Sequence, residues 1–191
     1  GYSSAASDVY KRQDKLIVPI KFLMSHDIEK TQENHKRSAE TIMEYLRQGH
    51  DVAMLNIGDI SIYSTCSYIL NIIEKNGFET EVCAGVPSFC AAAARLKKPL
   101  VSRKEVLVVA PGYTDELESL MSVNGTKVIM KSGKHMNRVK KLVEKYGMSD
   151  NTIIVESCGL ENERIHYGID ETENGYFSLM IIKTSEENDN A

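Results

Sequence analysis

The chain has 191 residues, 42% hydrophobic and 26% charged, a balance typical of a globular protein with one large or two small domains. No apolar run approaches the roughly 20 residues of a membrane span, and no stretch has the charged, apolar and small-residue order of a signal peptide, so a cytoplasmic protein without a membrane partner is expected. The formal net charge of -4 lacks the basic footprint of a nucleic-acid binder, so no nucleic-acid partner is expected either.

Taken in chain order, residues 1–13, GYSSAASDVYKRQ, are small and polar without periodicity and read as a disordered or foreign leader. KLIVPIKF, residues 15–22, is rich in β-branched residues and reads as the first strand. A long polar segment follows, and its later half places Ala39, Ile42, Met43 and Leu46 at helical spacing before Gly49 stops it. Its charged part, residues 29–37, reads as a solvated helix face. Residues 51–57 form the next expected strand. Cys66, Ile69, Ile72 and Ile73 make the following helix amphipathic, with Gly77 as its end. Residues 80–83 read as a strand, and Phe89, Ala92, Ala93 and Leu96 as a compact helix. Strands and helices in alternation predict a parallel sheet covered by helices.

KKP at 97–99 and the polar residues 102–104 interrupt this pattern, which places a domain boundary near residue 101. Strands are then expected at 105–110, 127–130 and 152–155, with helices at 114–123 and 135–146. Two further strand-like runs, 164–169 and 176–183, flank Asn174-Gly175, a strong hairpin signal. The expected organisation is therefore an α/β protein of two α/β domains. A first domain at 14–101 holds a parallel sheet, a second at 102–185 holds a mixed sheet, and residues 186–191 form a frayed acidic tail.

In open α/β sheets ligands bind beyond the carboxyl ends of strands, so the turns there are the candidate sites. Two stand out: Ile57-Gly58-Asp59-Ile60 followed by Tyr63-Ser64-Thr65, and Cys83-Ala84-Gly85-Val86-Pro87-Ser88, which enters the alanine-rich helix. Each offers a glycine where backbone can approach a ligand and a helix start with free amide donors. The bland alternative makes Gly58 and Gly85 turn glycines, and Asp59, Ser64 and Ser88 helix caps. Cys66, Cys83, Cys90 and Cys158 have no paired spacing and read as small buried hydrophobes. KSGKH at 131–135 fails as a phosphate loop, because Val128 stands where the first glycine belongs and His135 replaces the Ser or Thr. The histidines, His166 included, have no metal-ligand spacing, so no metal site is expected.

The stretches VAMLNIGDISIYSTCSYI and EVCAGVPSFCAAAARLKKPL, followed by LVVAPGY, VIMKSGKH and VESCGLENER, resemble the tetrapyrrole methylases. Among these the likeness is greatest to the precorrin-2 C-20 methyltransferases of corrin biosynthesis, and it runs from about residue 18 to 183. The resemblance implies two α/β domains with the cofactor cleft between them, a homodimer, and methyl transfer from S-adenosylmethionine to C-20 of precorrin-2 or its cobalt-containing counterpart, cobalt-factor II. Carried over by position, it assigns cofactor contacts to Ile57, Gly58, Asp59, Ile62, Pro87, Ser88, Lys131 and Cys158. It names no catalytic base. A methylase acting elsewhere on the macrocycle, or a non-catalytic remnant that still binds cofactor, are the other readings.

The chain departs from the family pattern at Ile60, where a proline follows Gly-Asp, and at Ala84, where Pro-Gly is usual. The family's first strand and its Gly-x-Gly-Pro-Gly-Asp loop have no counterpart in residues 1–17, so the sequence reads as N-terminally truncated. A sulfonium methyl group is already activated, so orientation and desolvation of the acceptor carbon can supply most of the acceleration. Only a weak base is then needed to take the proton left on the methylated carbon.

Overall fold

A computed structural model describes residues 15–23, 27–169 and 178–183. The chain divides into two compact units, residues 1–87 and 88–191. The boundary expected near residue 101 thus lies inside the second unit, because the alanine-rich helix packs with the sheet that follows it.

In the first unit, helix α1 (Ile28–Arg47) starts at Asp27, whose side chain accepts the Lys30 amide at 3.1 Å. It therefore begins well before the apolar periodicity does. Ala39, Ile42 and Met43 face Ile69 and Ile73 of α2 (Cys66–Lys75), with Ile20, Leu46, Met54 and Phe78 closing the cluster. Asn34, buried on α1, donates to Lys21 O and accepts from Leu23 N–H, so a side-chain amide does what a neighbouring strand would do for that backbone. The runs expected as strands at 15–22, 51–57 and 80–83 form no β-ladder among the described residues. Leu16, Ile17, Leu55 and Ile57 are each 70% or more exposed. An apolar, β-branched run sets a strand propensity, but a ladder also needs a neighbour about 4.8 Å away with matching register.

The second unit opens with α3 (Ser88–Leu96), followed by β1 (Leu107–Pro111), α4 (Leu117–Met121), β2 (Thr126–Met130), α5 (Met136–Lys145), β3 (Thr152–Glu156), β4 (Arg164–Tyr167) and β5 (Ser178–Ile182). These strands form one mixed sheet in the order β1-β2-β5-β3-β4. β1 and β2 pair in parallel, whereas β5 is antiparallel to both its neighbours and β4 is antiparallel to β3. The α/β class and the mixed sheet of the second half are as expected. The hairpin is not: β4 and β5 flank β3 instead of pairing with each other. Residues 170–177, including Asn174-Gly175, lie outside the described residues. Burial explains the arrangement. β5 is buried at all five positions and belongs between two strands, while β4 is exposed at both ends and suits an edge.

One face of the sheet, with Ala110, Ile129, Ile154, Met180 and Ile182, packs against Leu117 and Met121 of α4 and Met136, Val139 and Val143 of α5. Lys127 is fully buried in β2, its Nζ donating to Gly125 O at 3.1 Å, and burial lowers its ammonium pKa.

Candidate functional site

In the first unit the two glycine turns are tied together by one carboxylate. Asp59 Oδ1 accepts the Ser61 hydroxyl at 2.5 Å and the Ser61 amide at 2.8 Å, while Oδ2 accepts the Gly85 amide at 2.8 Å. The Ser61 hydroxyl, then the Ser61 and Gly85 amides, hold the Asp59 carboxyl below its ordinary pKa. The turns also touch through backbone. A Cβ on Gly85 would sit 2.2 Å from Gly58 O, so only glycine fits there. Gly58 has φ +89°, and a Cβ on it would meet nothing closer than Val86 O at 3.9 Å, so the outer side of its backbone is bare.

The same turn continues through Ile62, whose amide bonds Asp59 O at 3.3 Å, and Tyr63, held at φ 51°. Ser64 Oγ accepts the Cys66 amide at 3.2 Å and its hydroxyl donates to Asn56 Oδ1, whereas the N-cap position of α2 is Thr65, which makes no side-chain capping bond. Pro87 and Ser88, both half-buried, follow the Gly85 turn. The structure therefore brings Gly58, Asp59 and the 84–86 turn together. Ser61 was missed by the sequence reading, although Asp-x-Ser is the pattern of an Asx turn and signalled it.

In the second unit β1, β2 and β3 run in one direction, because β2 and β3 are both antiparallel to β5. Their carboxyl ends deliver Gly112, Lys131-Ser132 and Ser157-Cys158 to one edge of the sheet. Lys131 and Ser157 have φ of 52° and 48°, a left-handed backbone that costs a non-glycine residue about 1–3 kcal/mol and concentrates at ligand clamps. Lys131 is exposed at its surface yet partly walled in by the chain, and desolvation lowers its ammonium pKa. Cys158 is half-buried, and its thiol pKa is raised, first by burial and then by the Glu163 carboxylate. Both effects disfavour the thiolate form.

This edge also collects buried polar atoms. Ser132 Oγ, Glu156 Oε1 and His166 Nε2 are buried without a hydrogen-bond partner among the described residues. Glu156 Oε2 lies 3.5 Å from His166 Nε2. Such orphans belong where a polar ligand or ordered water completes the bonding. No group of three or more His, Cys, Asp or Glu side chains among the described residues could hold a metal ion, and no described helix is long and apolar enough to cross a membrane.

Residues 2–169 match the model of the family described as Tetrapyrrole (Corrin/Porphyrin) Methylases. The chain belongs to the tetrapyrrole methylase family. A probable cobalt-precorrin-2 C(20)-methyltransferase of Methanocaldococcus jannaschii is 31% identical over 93% of this chain and 88% of that protein. A precorrin-2 C(20)-methyltransferase of Sinorhizobium sp. is 25% identical over 95% of this chain and 79% of that protein. Among solved structures, a cobalt precorrin-4 methyltransferase shares the fold with a TM-score of 0.67 at 18% identity, over 78% of this chain and 70% of that one. The uroporphyrin-III C-methyl transferase of Thermus thermophilus complexed with S-adenyl homocysteine gives 0.63 at 21% identity, over 82% and 74%.

Tetrapyrrole methylases take their methyl group from S-adenosylmethionine. The first unit offers bare backbone at Gly58, and the second, taken by itself, offers strained strand ends at Lys131 and Ser157 and buried polar atoms without a hydrogen-bond partner among the described residues.

Proposed function

We propose that this methylase transfers a methyl group from S-adenosylmethionine to C-20 of precorrin-2 or cobalt-factor II in corrin biosynthesis. The observation that carries the reading is the 31% identity, over 93% of the chain, to a protein named for C-20 methylation of cobalt-precorrin-2.

The cofactor supplies an electrophilic methyl group on a sulfonium. This chain's residues bind, orient and exclude water. Asp59 fixes the spacing between the Gly58 and Gly85 turns, so that Ile57, Gly58 and Ile62 present apolar side chains and bare backbone to the cofactor. Pro87 and Ser88 continue that surface. In the second unit Lys131 and Cys158 provide contacts from strand ends locked in left-handed backbone. The acceptor is an electron-rich macrocycle carbon, which needs alignment more than activation. On the strength of the resemblance the protein is read as a homodimer, which light scattering in solution tests.

Calorimetric titration with S-adenosylhomocysteine tests cofactor binding without any tetrapyrrole. Micromolar binding is expected, weakened about tenfold or more in Asp59→Ala, where the two turns lose their tie. Mass spectrometry of precorrin-2 incubated with the protein and S-adenosylmethionine should then show one added methyl group. Binding without methylation of any reduced tetrapyrrole would overturn the assignment.

A further inference from the structure

The loop after β3, residues 157–163, is held from outside by an ion pair that no backbone pattern announces. Ser157 and Gly159 both have left-handed backbone, at φ 48° and 78°, and the turn closes through Leu160 N–H to Ser157 O at 2.9 Å. Glu163 completes it twice over. Its Oε2 accepts the Gly159 amide at 2.7 Å, and its Oε1 accepts Nε of Arg95 on α3 at 2.5 Å. The Glu163 side chain is only 12% exposed, whereas that of Arg95 is 63% exposed. One carboxylate therefore joins the loop to itself and to α3, both within the second unit. Cys158 lies next to the bonded Gly159, and its thiol also feels the Glu163 charge. Ala91 and Arg95, one turn apart on α3, line an open groove of about 580 Å³ together with Cys158, Gly159, Leu160 and Glu163.

The geometry points to Glu163 and Arg95 as positioning residues for the reaction: a latch that sets Cys158 and the bare Gly159 backbone at the height the cofactor requires. This rests on the reading of Cys158 as a cofactor contact. The physical case is that a short loop with two left-handed residues has several alternative conformations of similar energy. A carboxylate bonding both an internal amide and a neighbouring helix selects one of them before the ligand arrives, which lowers the ordering cost of binding. Arg95 pre-orients the carboxylate through a planar, charge-assisted bond.

The test is a double-mutant cycle on the full chain, Glu163→Ala, Arg95→Ala and both together, with two readouts. The first is the calorimetric Kd for S-adenosylhomocysteine. The second is the alkylation rate of Cys158 by iodoacetamide, resolved by peptide mass spectrometry from Cys66, Cys83 and Cys90. Thermal unfolding and circular dichroism show whether each variant is folded, and Glu163→Gln, which keeps an acceptor for Gly159, serves as the gentler variant. We expect each single alanine variant to weaken S-adenosylhomocysteine about tenfold, the double variant to be no weaker than the worse single, and Cys158 to be alkylated several-fold faster in Arg95→Ala, where loss of the guanidinium charge alone would slow it. Additive losses, or faster alkylation at unchanged Kd, would overturn the latch while leaving the methyltransferase reading intact. A wild-type protein that takes up no S-adenosylhomocysteine would overturn both.

Discussion

Asp59 uses both carboxylate oxygens on the protein itself, which changes how the Gly-Asp pair is understood. From sequence it is an acceptor offered to a ligand; in the structure its oxygens meet the Ser61 hydroxyl and the Ser61 and Gly85 amides. The aspartate keeps two turns in register, and under the proposed function the glycine backbone is the part of the motif left to face the cofactor. Its pKa is depressed in the folded state, so the stability it contributes is present above the unfolded value of about 3.9 and is lost as pH falls through the lower folded value. In Asp59→Asn the amide can no longer accept through both positions. The expected outcome is that wild type is more resistant to urea than Asp59→Asn at pH 6, and that the gap closes as the pH is taken from about 4 to 2. A gap independent of pH would mean that the carboxylate charge is not what holds the turns. Lys131 and Ser157 teach a related lesson. Position in the family pattern pointed to Lys131, but no feature of its side chain announces a left-handed backbone, because that conformation is imposed by the strand end and its surroundings.

At the scale of elements, the second half was legible because each strand brings its own evidence. All five strands expected there appear within a residue or two of their anticipated bounds, since alternation and apolar runs report burial directly. Their order was not legible. Asn174-Gly175 favours a tight turn locally, yet the fully buried β5 gains more by lying between β2 and β3 than by pairing with the half-exposed β4. Burial of both sheet faces outweighs turn propensity. The difference between the two strands should be measurable. Met180 is fully buried at the centre of β5, so Met180→Ala should cost about 2–5 kcal/mol in denaturant unfolding. Tyr167, 70% exposed on the edge strand, should cost no more than about 0.5 kcal/mol on truncation to alanine. Equal losses at the two positions would contradict the strand order. In the first half the helices were legible and the ladder was not, because strand composition at 15–22, 51–57 and 80–83 cannot reveal whether a neighbour pairs with it.

At the scale of the whole molecule, the two units differ in what fixes their backbone. The second has a five-stranded ladder buried by α4 and α5 on one face, whereas the first relies on the packing of α1 with α2 and on side-chain ties such as Asn34 and Asp59. Amides in a buried ladder exchange with solvent only through large openings, while amides outside helix or ladder exchange through local ones. Hydrogen-exchange mass spectrometry should therefore find β2, β3 and β5 protected longest, and residues 15–22, 51–57 and 80–84 exchanging early. Adding S-adenosylhomocysteine at about a hundred times its Kd stabilises the native state by about 2.7 kcal/mol if the unfolded chain does not bind it. For a chain of this size that corresponds to a Tm rise of about 5–10 °C. The informative part is where protection is gained. If the strand-end turns form the cofactor site, exchange should slow at 58–62, 84–88, 131–133 and 157–163, in both units, and leave the α1–α2 packing little changed. Protection confined to one unit would mean that the cofactor contacts carried over to the other are wrong, whatever the measured affinity.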